Sequence, residues 1–179
     1  MLPVYTIGHS TRTIPEFVEL LRVGPARLVI DVRTMPRSRT NPQYNADVLA
    51  DELERYQLGY ARIAEFGGLR GRSRDVPPET NAFWENQSFH NYADYALSDA
   101  FGDGLEQLIA RADEQPTAIM CSEAVWWRCH RRIIADYLLM RGRAVLHLMG
   151  KDRVEPARMT PAAKRRDGRL VYPALAEAR

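Results

Sequence analysis

The chain has 179 residues, of which 45% are hydrophobic, and its formal net charge is +2. This size and composition suit one well-buried globular domain, and the net charge is too small to indicate nucleic-acid binding by itself. Because no apolar run approaches the roughly 20 residues that span a bilayer, and because the amino terminus lacks a signal-peptide pattern, we expect a cytoplasmic protein without membrane contact.

The first third of the sequence alternates between predicted strands and helices. The elements are a strand over 3–7, a helix from residue 14, a strand over 27–33, a helix over 46–56 and a weaker strand over 60–63. Thr13 and Glu16 form a capping box at the start of the first helix, and Gly24-Pro25 ends it. The run over 27–33 is almost continuously apolar, which is typical of a strand covered on both faces.

The rest of the chain continues this alternation after a long irregular segment. Residues 65–89 show no periodicity and exceed the usual length of a connection, as a lid or a binding loop does. The elements that follow are a helix over 91–112, which glycines near 102–104 could break, a strand over 117–120, a helix over 131–141 and a strand over 144–149. The basic tail from residue 151 could add a short strand over 170–172.

Strands that alternate with helices predict a single α/β domain with a mostly parallel sheet and helices on both faces, a Rossmann-like arrangement. We place its core at about 4–149 and treat 150–179 as a basic extension. In such sheets ligands bind beyond the carboxyl ends of the strands. The polar residues at those ends are His9 and Ser10, Asp31 and Arg33, Cys121 and Glu123, and His147. A shared polar site is therefore expected at this edge.

Some residues of this set also have purely structural interpretations. Asp31 and Arg33 could form an ion pair, and His9 could cap a turn between strand and helix. Charge at the end of an apolar strand is costly unless it is paired or faces a crevice. The convergence of separate strand ends favours a functional site more than any of these residues does alone.

The two cysteines, Cys121 and Cys129, allow four interpretations. A reducing compartment disfavours a disulfide, and burial as a small hydrophobic side chain could apply to one of them. A metal site would use His9, Cys121, Cys129 and His130, although their spacing matches no standard zinc module. In the fourth interpretation, Cys121 is a nucleophile whose thiolate is stabilised by the amides of the next helix and nearby arginines, and Cys129 reacts more slowly.

The early Asp-Val-Arg strand and the later strand-end cysteine are similar to those of rhodanese-like sulfurtransferases and cysteine phosphatases. The loop differs, because a cysteine phosphatase cradles phosphate in Cys-x5-Arg, whereas Trp127 stands at that arginine position. Either Trp126 or Trp127 could instead offer a stacking face to a base. The arginines of 37–39 and 70–74 are ordinarily solvated, but beside a pocket they could hold phosphates.

Several short motifs occur in an order that is typical of one family. They are TIGHS at 6–10, DVR at 31–33 with Pro36 and Ser38, FGG at 66–68, Phe89 with Tyr92-Ala93, CSE at 121–123 with CHR at 129–131, and His147. This pattern resembles the bacterial and archaeal domain-of-unknown-function family 488 from about residue 4 to residue 149. Phe66 departs mildly from it, because the family usually has Leu before its double glycine. The resemblance implies a compact α/β domain whose motif residues form one polar site, and it supplies neither reaction nor cofactor.

We therefore hypothesise an enzyme that acts on a phosphate-bearing ligand, either a nucleotide or a nucleic acid. Cys121 or Glu123 would act as nucleophile or acid/base, and His130 would assist proton transfer. The residues expected to bind the ligand are His9, Ser10, Asp31, Arg33, Gly67, Gly68, Arg131 and His147. Part of the segment over 69–89 is expected to cover the pocket. The alternatives are a noncatalytic nucleic-acid-binding module, a thiol enzyme of the rhodanese or phosphatase kind, and a metal-binding Cys/His site.

Overall fold

A six-stranded sheet lies at the centre of the computed structural model, which describes residues 1–177. Its strands are β1 (Val4–Gly8), β2 (Leu28–Asp31), β3 (Gly59–Arg62), β4 (Thr117–Cys121), β5 (Val145–Gly150) and β6 (Arg153–Pro156). The order across the sheet is β3-β2-β4-β1-β5-β6, and neighbours are parallel except at the β5–β6 edge. The predicted α/β class with a mostly parallel sheet is confirmed.

The register brings the carboxyl ends of the three central strands together. Gly8 at the end of β1 lies beside Cys121 at the end of β4, and Asp31 at the end of β2 lies beside Met120. These strands are buried along their whole length, since apolar cores form on both faces of the sheet. Polar residues that follow the strands therefore emerge at one edge.

Within residues 1–177, five α-helices cover the two faces of the sheet. They are α1 (Ile14–Val23), α2 (Ala46–Glu54), α3 (Gln87–Tyr95), α4 (Asp99–Glu114) and α5 (Arg131–Met140). Apolar residues of α1 and α2 belong to one core, and those of α3, α4 and α5 belong to the other. The predicted capping box of α1 is present: Thr13 Oγ1 accepts from the Glu16 backbone N–H at 3.3 Å, and the Glu16 carboxylate accepts from the Thr13 N–H at 3.2 Å.

The helix predicted over 91–112 is instead two helices, and the break precedes its glycines. Ser98 is the N-cap of α4, because its side chain accepts a hydrogen bond from the Phe101 N–H. Gly104 lies within α4 for a packing reason. A Cβ there would approach the Glu65 Cβ to 3.0 Å, so the absent side chain lets α4 lie against the turn at Ala64–Phe66.

The long segment over 65–89 is anchored at its middle. Asn81 donates to the Asp94 carboxylate at 2.7 Å, and its side-chain oxygen accepts from the Tyr172 backbone N–H at 2.9 Å. Trp84 is buried and stacks on Phe89, with ring centroids 5.0 Å apart. These contacts hold the end of the segment against α3. Its last three residues, 87–89, are already the first residues of α3.

The tail beyond residue 149 joins the fold, so the core extends past the predicted boundary. Strand β6 pairs with β5, and β7 (Lys164–Arg166) pairs with β8 (Arg169–Val171) in an antiparallel hairpin. Leu170 and Tyr172 are buried in the core on the α5 face. Within residues 1–177, no helix combines the length and apolarity that a membrane crossing requires.

Candidate functional site

A pocket of about 790 Å³ opens at the carboxyl edge of the parallel strands. Its walls come from the loops after β1, β2 and β4 and from the start of the long segment. The predicted site residues that line it are His9, Ser10, Arg33, Gly68, Cys121, Glu123, Cys129 and His130. The structure thus brings together residues that are more than 100 positions apart in the sequence, because parallel strands deliver their ends to one place.

The charge of Arg33 is compensated by its neighbour on the same strand end. Asp31 accepts from the Arg33 Nε–H at 2.9 Å and from Nη2–H at 2.7 Å, and Tyr60 donates a further bond to this carboxylate at 2.6 Å. Both members of the pair are buried. Arg33 also donates to the backbone oxygen of Tyr44 at 2.7 Å. The ion-pair interpretation from the sequence therefore holds, and Arg33 reaches the pocket with its charge already balanced.

His9 is held as a neutral imidazole between Arg33 and Tyr44. Its Nδ1–H donates to the Ser10 backbone oxygen at 2.8 Å, which leaves Nε2 to accept from the Arg33 Nη1–H at 3.4 Å. The ring stacks on Tyr44 with centroids 4.0 Å apart. Burial lowers the pKa of His9 to about 4, and the positive charge of Arg33 acts in the same direction. His9 therefore orients Arg33 and does not add positive charge to the pocket.

The two cysteines are similarly buried, at 2% and 4% exposure, but they differ in their hydrogen bonds. Cys129 Sγ accepts from two groups of Arg131, the backbone N–H at 3.4 Å and Nε–H at 3.3 Å. Cys121 instead donates, with its Sγ 4.0 Å from the Glu123 backbone oxygen. The helix amide and the arginine that the sequence assigned to Cys121 thus contact Cys129, which lies just before α5.

His130 is fixed between the end of β2 and the double glycine. Its Nε2–H donates to the Val32 backbone oxygen at 2.8 Å, and its Nδ1 lies 3.6 Å from Cys129 Sγ. A Cβ on Gly68 would lie 2.6 Å from this Nδ1, and one on Gly67 would lie 2.8 Å from Thr34 Oγ1. The two glycines therefore let the long segment pass directly over the His130 ring.

Four of the predicted site residues lie behind the lining of the pocket. Asp31 acts through Arg33, and Gly67 packs on the loop after β2. Arg131 and His147 both contact Thr6 Oγ1, with Arg131 Nη1 at 3.5 Å and His147 Nδ1 at 2.7 Å. Their contact with a ligand stays a prediction. In the structure Arg131 contacts Cys129 and Glu123 of the wall, and His147 contacts Thr6 behind it.

The alternative metal set does not assemble. Among residues 1–177, no group of three or more His, Cys, Asp or Glu side chains is arranged to hold a metal ion. Cys129 and His130 are adjacent, but the His9 ring nitrogens are engaged by Ser10 and Arg33. The four residues His9, Cys121, Cys129 and His130 therefore share the pocket without forming a ligand set.

Arg128 lines the pocket next to Cys129 and was not selected from the sequence. Its signal was weak, because an isolated arginine in a loop is ordinarily solvated. Arg37, one of the loop arginines that could hold a phosphate, lines the pocket from the loop after β2. Met35, Leu69 and Phe89 form the apolar part of the lining. Leu69 and Phe89 are the two ends of the segment that was expected to cover the pocket, and both reach it.

The comparisons with known proteins agree with the motif pattern. A family model described as "Domain of unknown function DUF488" matches residues 13–138, which is most of the chain. No curated protein matches the chain significantly, and no solved structure does.

Proposed function

Because the chain belongs to the DUF488 family, whose description names no reaction, we propose a function from the pocket itself: an enzyme that acts on a phosphate-bearing ligand, a nucleotide or a nucleic acid. The proposal assigns the anionic part of the ligand to the arginines of the lining. It assigns the reaction to the thiol, imidazole and carboxyl groups between the ends of β1 and β4.

The observation that carries the proposal is an excess of positive charge at the pocket. Arg37 and Arg128 are exposed and line it, and neither belongs to an ion pair among residues 1–177. Glu123 is the one acidic side chain of the lining, so the two free guanidinium groups outnumber it. Arginine binds phosphate through two parallel N–H···O bonds, which makes a phosphate group a fitting anion for this surface.

Neutral donors beside these arginines suit the remaining phosphate oxygens. Ser10, Ser38, Asn41 and Ser122 contribute hydroxyl and amide groups to the same lining. Part of this set is already ordered, because Ser38 Oγ accepts from the Asn41 backbone N–H at 2.9 Å. A hydroxyl that accepts in this way keeps its own proton to donate to a ligand.

The apolar part of the lining favours a ligand with a base over inorganic phosphate. Met35 and Leu69 are 65% and 74% exposed, and both line the pocket together with Phe89. Large apolar side chains of this kind are ordinarily buried, so their position at the mouth marks a surface that a flat apolar group can cover. A nucleobase offers such a face, and its stacking on an aromatic side chain such as Phe89 contributes about 1–3 kcal/mol per base.

The reacting groups of the proposal are Glu123, His130 and a cysteine. Glu123 is exposed in the pocket, where a carboxyl group can donate or accept a proton. His130 has its Nε2 engaged by the Val32 backbone oxygen, so in the neutral ring Nδ1 is the nitrogen that can accept a proton. Cys121 and Cys129 both line the pocket beside it.

Calorimetric titration tests the binding half of the proposal. The probes are AMP, ADP and a 5′-phosphorylated single-stranded oligonucleotide, with adenosine as the control that lacks phosphate. Arg37→Gln and Arg128→Gln should each weaken binding of the phosphorylated probes about tenfold or more, since a hydrogen bond to a charged group contributes about 1.5–3 kcal/mol. Arg74→Gln, which removes an exposed arginine of the long segment outside the lining, should leave affinity unchanged.

Mass spectrometry of the same mixtures tests the catalytic half. Conversion of a phosphorylated probe that disappears in Glu123→Gln supports an enzyme. Salt-dependent binding without any conversion supports the noncatalytic module instead. Adenosine that binds as tightly as AMP, or an Arg74→Gln variant that loses as much affinity as Arg128→Gln, would contradict the phosphate assignment.

A further inference from the structure

Among residues 1–177, three arginines are buried, and only one of them has no carboxylate partner. Arg33 pairs with Asp31, and Arg143 pairs with Asp113. Arg131 is 1% exposed, and none of the ion pairs among residues 1–177 includes it. A guanidinium stays charged in proteins, and a buried charge requires an opposite charge beside it. The structure must therefore supply Arg131 with an anion other than a carboxylate.

The sulfur of Cys129 has the position of that anion. The other contacts of the Arg131 guanidinium are neutral acceptors: the Glu123 backbone oxygen at 2.7 Å from Nη2 and Thr6 Oγ1 at 3.5 Å from Nη1. The Nε–H of Arg131 points to Cys129 Sγ at 3.3 Å, and the Arg131 backbone N–H reaches the same sulfur at 3.4 Å. A sulfur that accepts two N–H groups, one of them cationic, has the surroundings of a thiolate.

Cys121 has the complementary role of a hydrogen-bond donor. Its S–H faces the Glu123 backbone oxygen, with Sγ 4.0 Å from that oxygen. Burial raises the pKa of Cys121, and the neighbouring sulfur raises it further. Burial alone would raise the pKa of Cys129 too, but the neighbouring Cys121, His130 and Arg131 together lower it well below its usual value. The two shifts have opposite directions, which fits one thiol and one thiolate.

We propose that Cys129, and not Cys121, is the reactive sulfur of the pocket, held as a thiolate by the buried Arg131 guanidinium and by the Arg131 backbone N–H at the start of α5. This inference deepens the proposed function by naming its nucleophile, but it does not depend on the identity of the ligand. It also reverses the order of reactivity expected from the sequence, since the helix amide and the arginine act on the second cysteine.

The groups that face Cys129 come from four directions. His130 and Arg131 are its neighbours at the start of α5, and Cys121 lies at the end of β4. Tyr92 on α3 and His147 on β5 are close enough to interact electrostatically with Cys129. None of these five is a carboxylate, so no fixed negative charge in contact opposes the thiolate.

Alkylation by iodoacetamide measures which sulfur reacts. The sulfur lone pair forms a bond to the methylene carbon while the carbon–iodine bond breaks, and iodide leaves with that electron pair. At neutral pH the Cys129 peptide should be labelled at least about tenfold faster than the Cys121 peptide, as resolved by peptide mass. The Cys129 rate should stay nearly constant as pH is lowered from about 8 to about 6, because a thiolate of low pKa does not protonate in this range.

A second measurement covers the case in which burial keeps the reagent from both sulfurs. The ultraviolet absorbance of the native protein at neutral pH should correspond to about one thiolate per chain, whereas an ordinary thiol would contribute no such absorbance. Cys129→Ser should abolish this absorbance, and Cys121→Ser should keep it, because it is the Cys129 sulfur that accepts from the two N–H groups of Arg131. Circular dichroism confirms that each variant is folded.

Each outcome of these measurements decides the proposal. Absence of thiolate absorbance in the native protein, or its loss in Cys121→Ser with retention in Cys129→Ser, would overturn it. Faster labelling of Cys121 than of Cys129 would do so as well. Because no ligand is present, a protein that passes this test but binds no phosphorylated probe leaves the thiolate established and refutes only the proposed function.

Discussion

Acid should destabilise this fold through two buried histidines, His9 and His147. Burial lowers the pKa of both from 6.5 to about 4, and the charges of Arg33 and Arg131, respectively, act in the same direction. Between these two values the unfolded chain binds protons at both positions, whereas the folded protein keeps both rings neutral. The free energy of unfolding must therefore fall as pH falls through this window.

The magnitude follows from the two pKa values of each ring. For one histidine that titrates near 6.5 when unfolded and near 4 when folded, lowering the pH from about 7.5 to about 5 costs about 2 kcal/mol. The two rings together cost about 4 kcal/mol, which is a large part of the roughly 5–15 kcal/mol that stabilises an ordinary domain. The steepest loss lies between about pH 6 and about pH 5, where both rings contribute fully.

Urea unfolding followed by circular dichroism at a series of pH values measures this effect. His147→Gln removes one of the two rings and retains an amide that can bond Thr6, so it should remove about half of the pH dependence. Val145→Ala, on the same strand, should lower stability at every pH and leave the dependence unchanged, because it removes no titrating group. An identical pH dependence in the wild type and in His147→Gln would refute the reasoning.

Two further predictions concern contacts at the strand ends. A Cβ on Gly8 would lie 1.7 Å from a backbone carbonyl oxygen, whereas one on Gly71 would meet nothing within 4 Å. By thermal or chemical unfolding, Gly8→Ala should therefore lose at least about 3 kcal/mol, and Gly71→Ala should stay within about 0.5 kcal/mol of the wild type. Asp31→Asn should cost about 3–5 kcal/mol, because Arg33 then keeps a buried charge without a counterion; equal stability of this variant would show that Arg33 finds another partner.

The sequence predicts the place of the site because two simple patterns determine it. Apolar runs that lack alternation indicate strands buried on both faces, and strands separated by helices are parallel. His9, Arg33 and Cys121 follow such runs, so their meeting at one edge requires no knowledge of side-chain contacts. The sequence also indicates that the double glycine at 67–68 belongs to the site. It does not indicate why glycine is needed there, since only the packing shows that the His130 ring lies against Gly68.

Other features depend on packing that no local pattern records. Glycines near 102–104 suggested a helix break, yet the break occurs at Ser98, whose cap competes with helix continuation, while Gly104 packs closely within α4. The polar tail looked like an extension, yet Tyr172 donates to the buried Asp136 at 3.0 Å and belongs to the core. In each case a contact distant in sequence decides the outcome.

Both proposals rest on arginines at the sheet edge that have no carboxylate partner within residues 1–177, but one concerns a buried arginine and the other concerns exposed ones. Behind the pocket, Arg131 is the buried arginine without such a partner. Because it cannot reach solvent, its counterion must be part of the protein, and the Cys129 sulfur contacts its Nε–H. At the rim, Arg37 and Arg128 face the open pocket, where water and salt screen them until an anion binds. The buried charge of Arg131 therefore predicts a permanent thiolate, and the exposed charges of Arg37 and Arg128 predict a ligand that binds reversibly. A high salt concentration should weaken binding of a phosphorylated probe at the rim while leaving the thiolate absorbance of Cys129 unchanged, because buried pairs are screened much less.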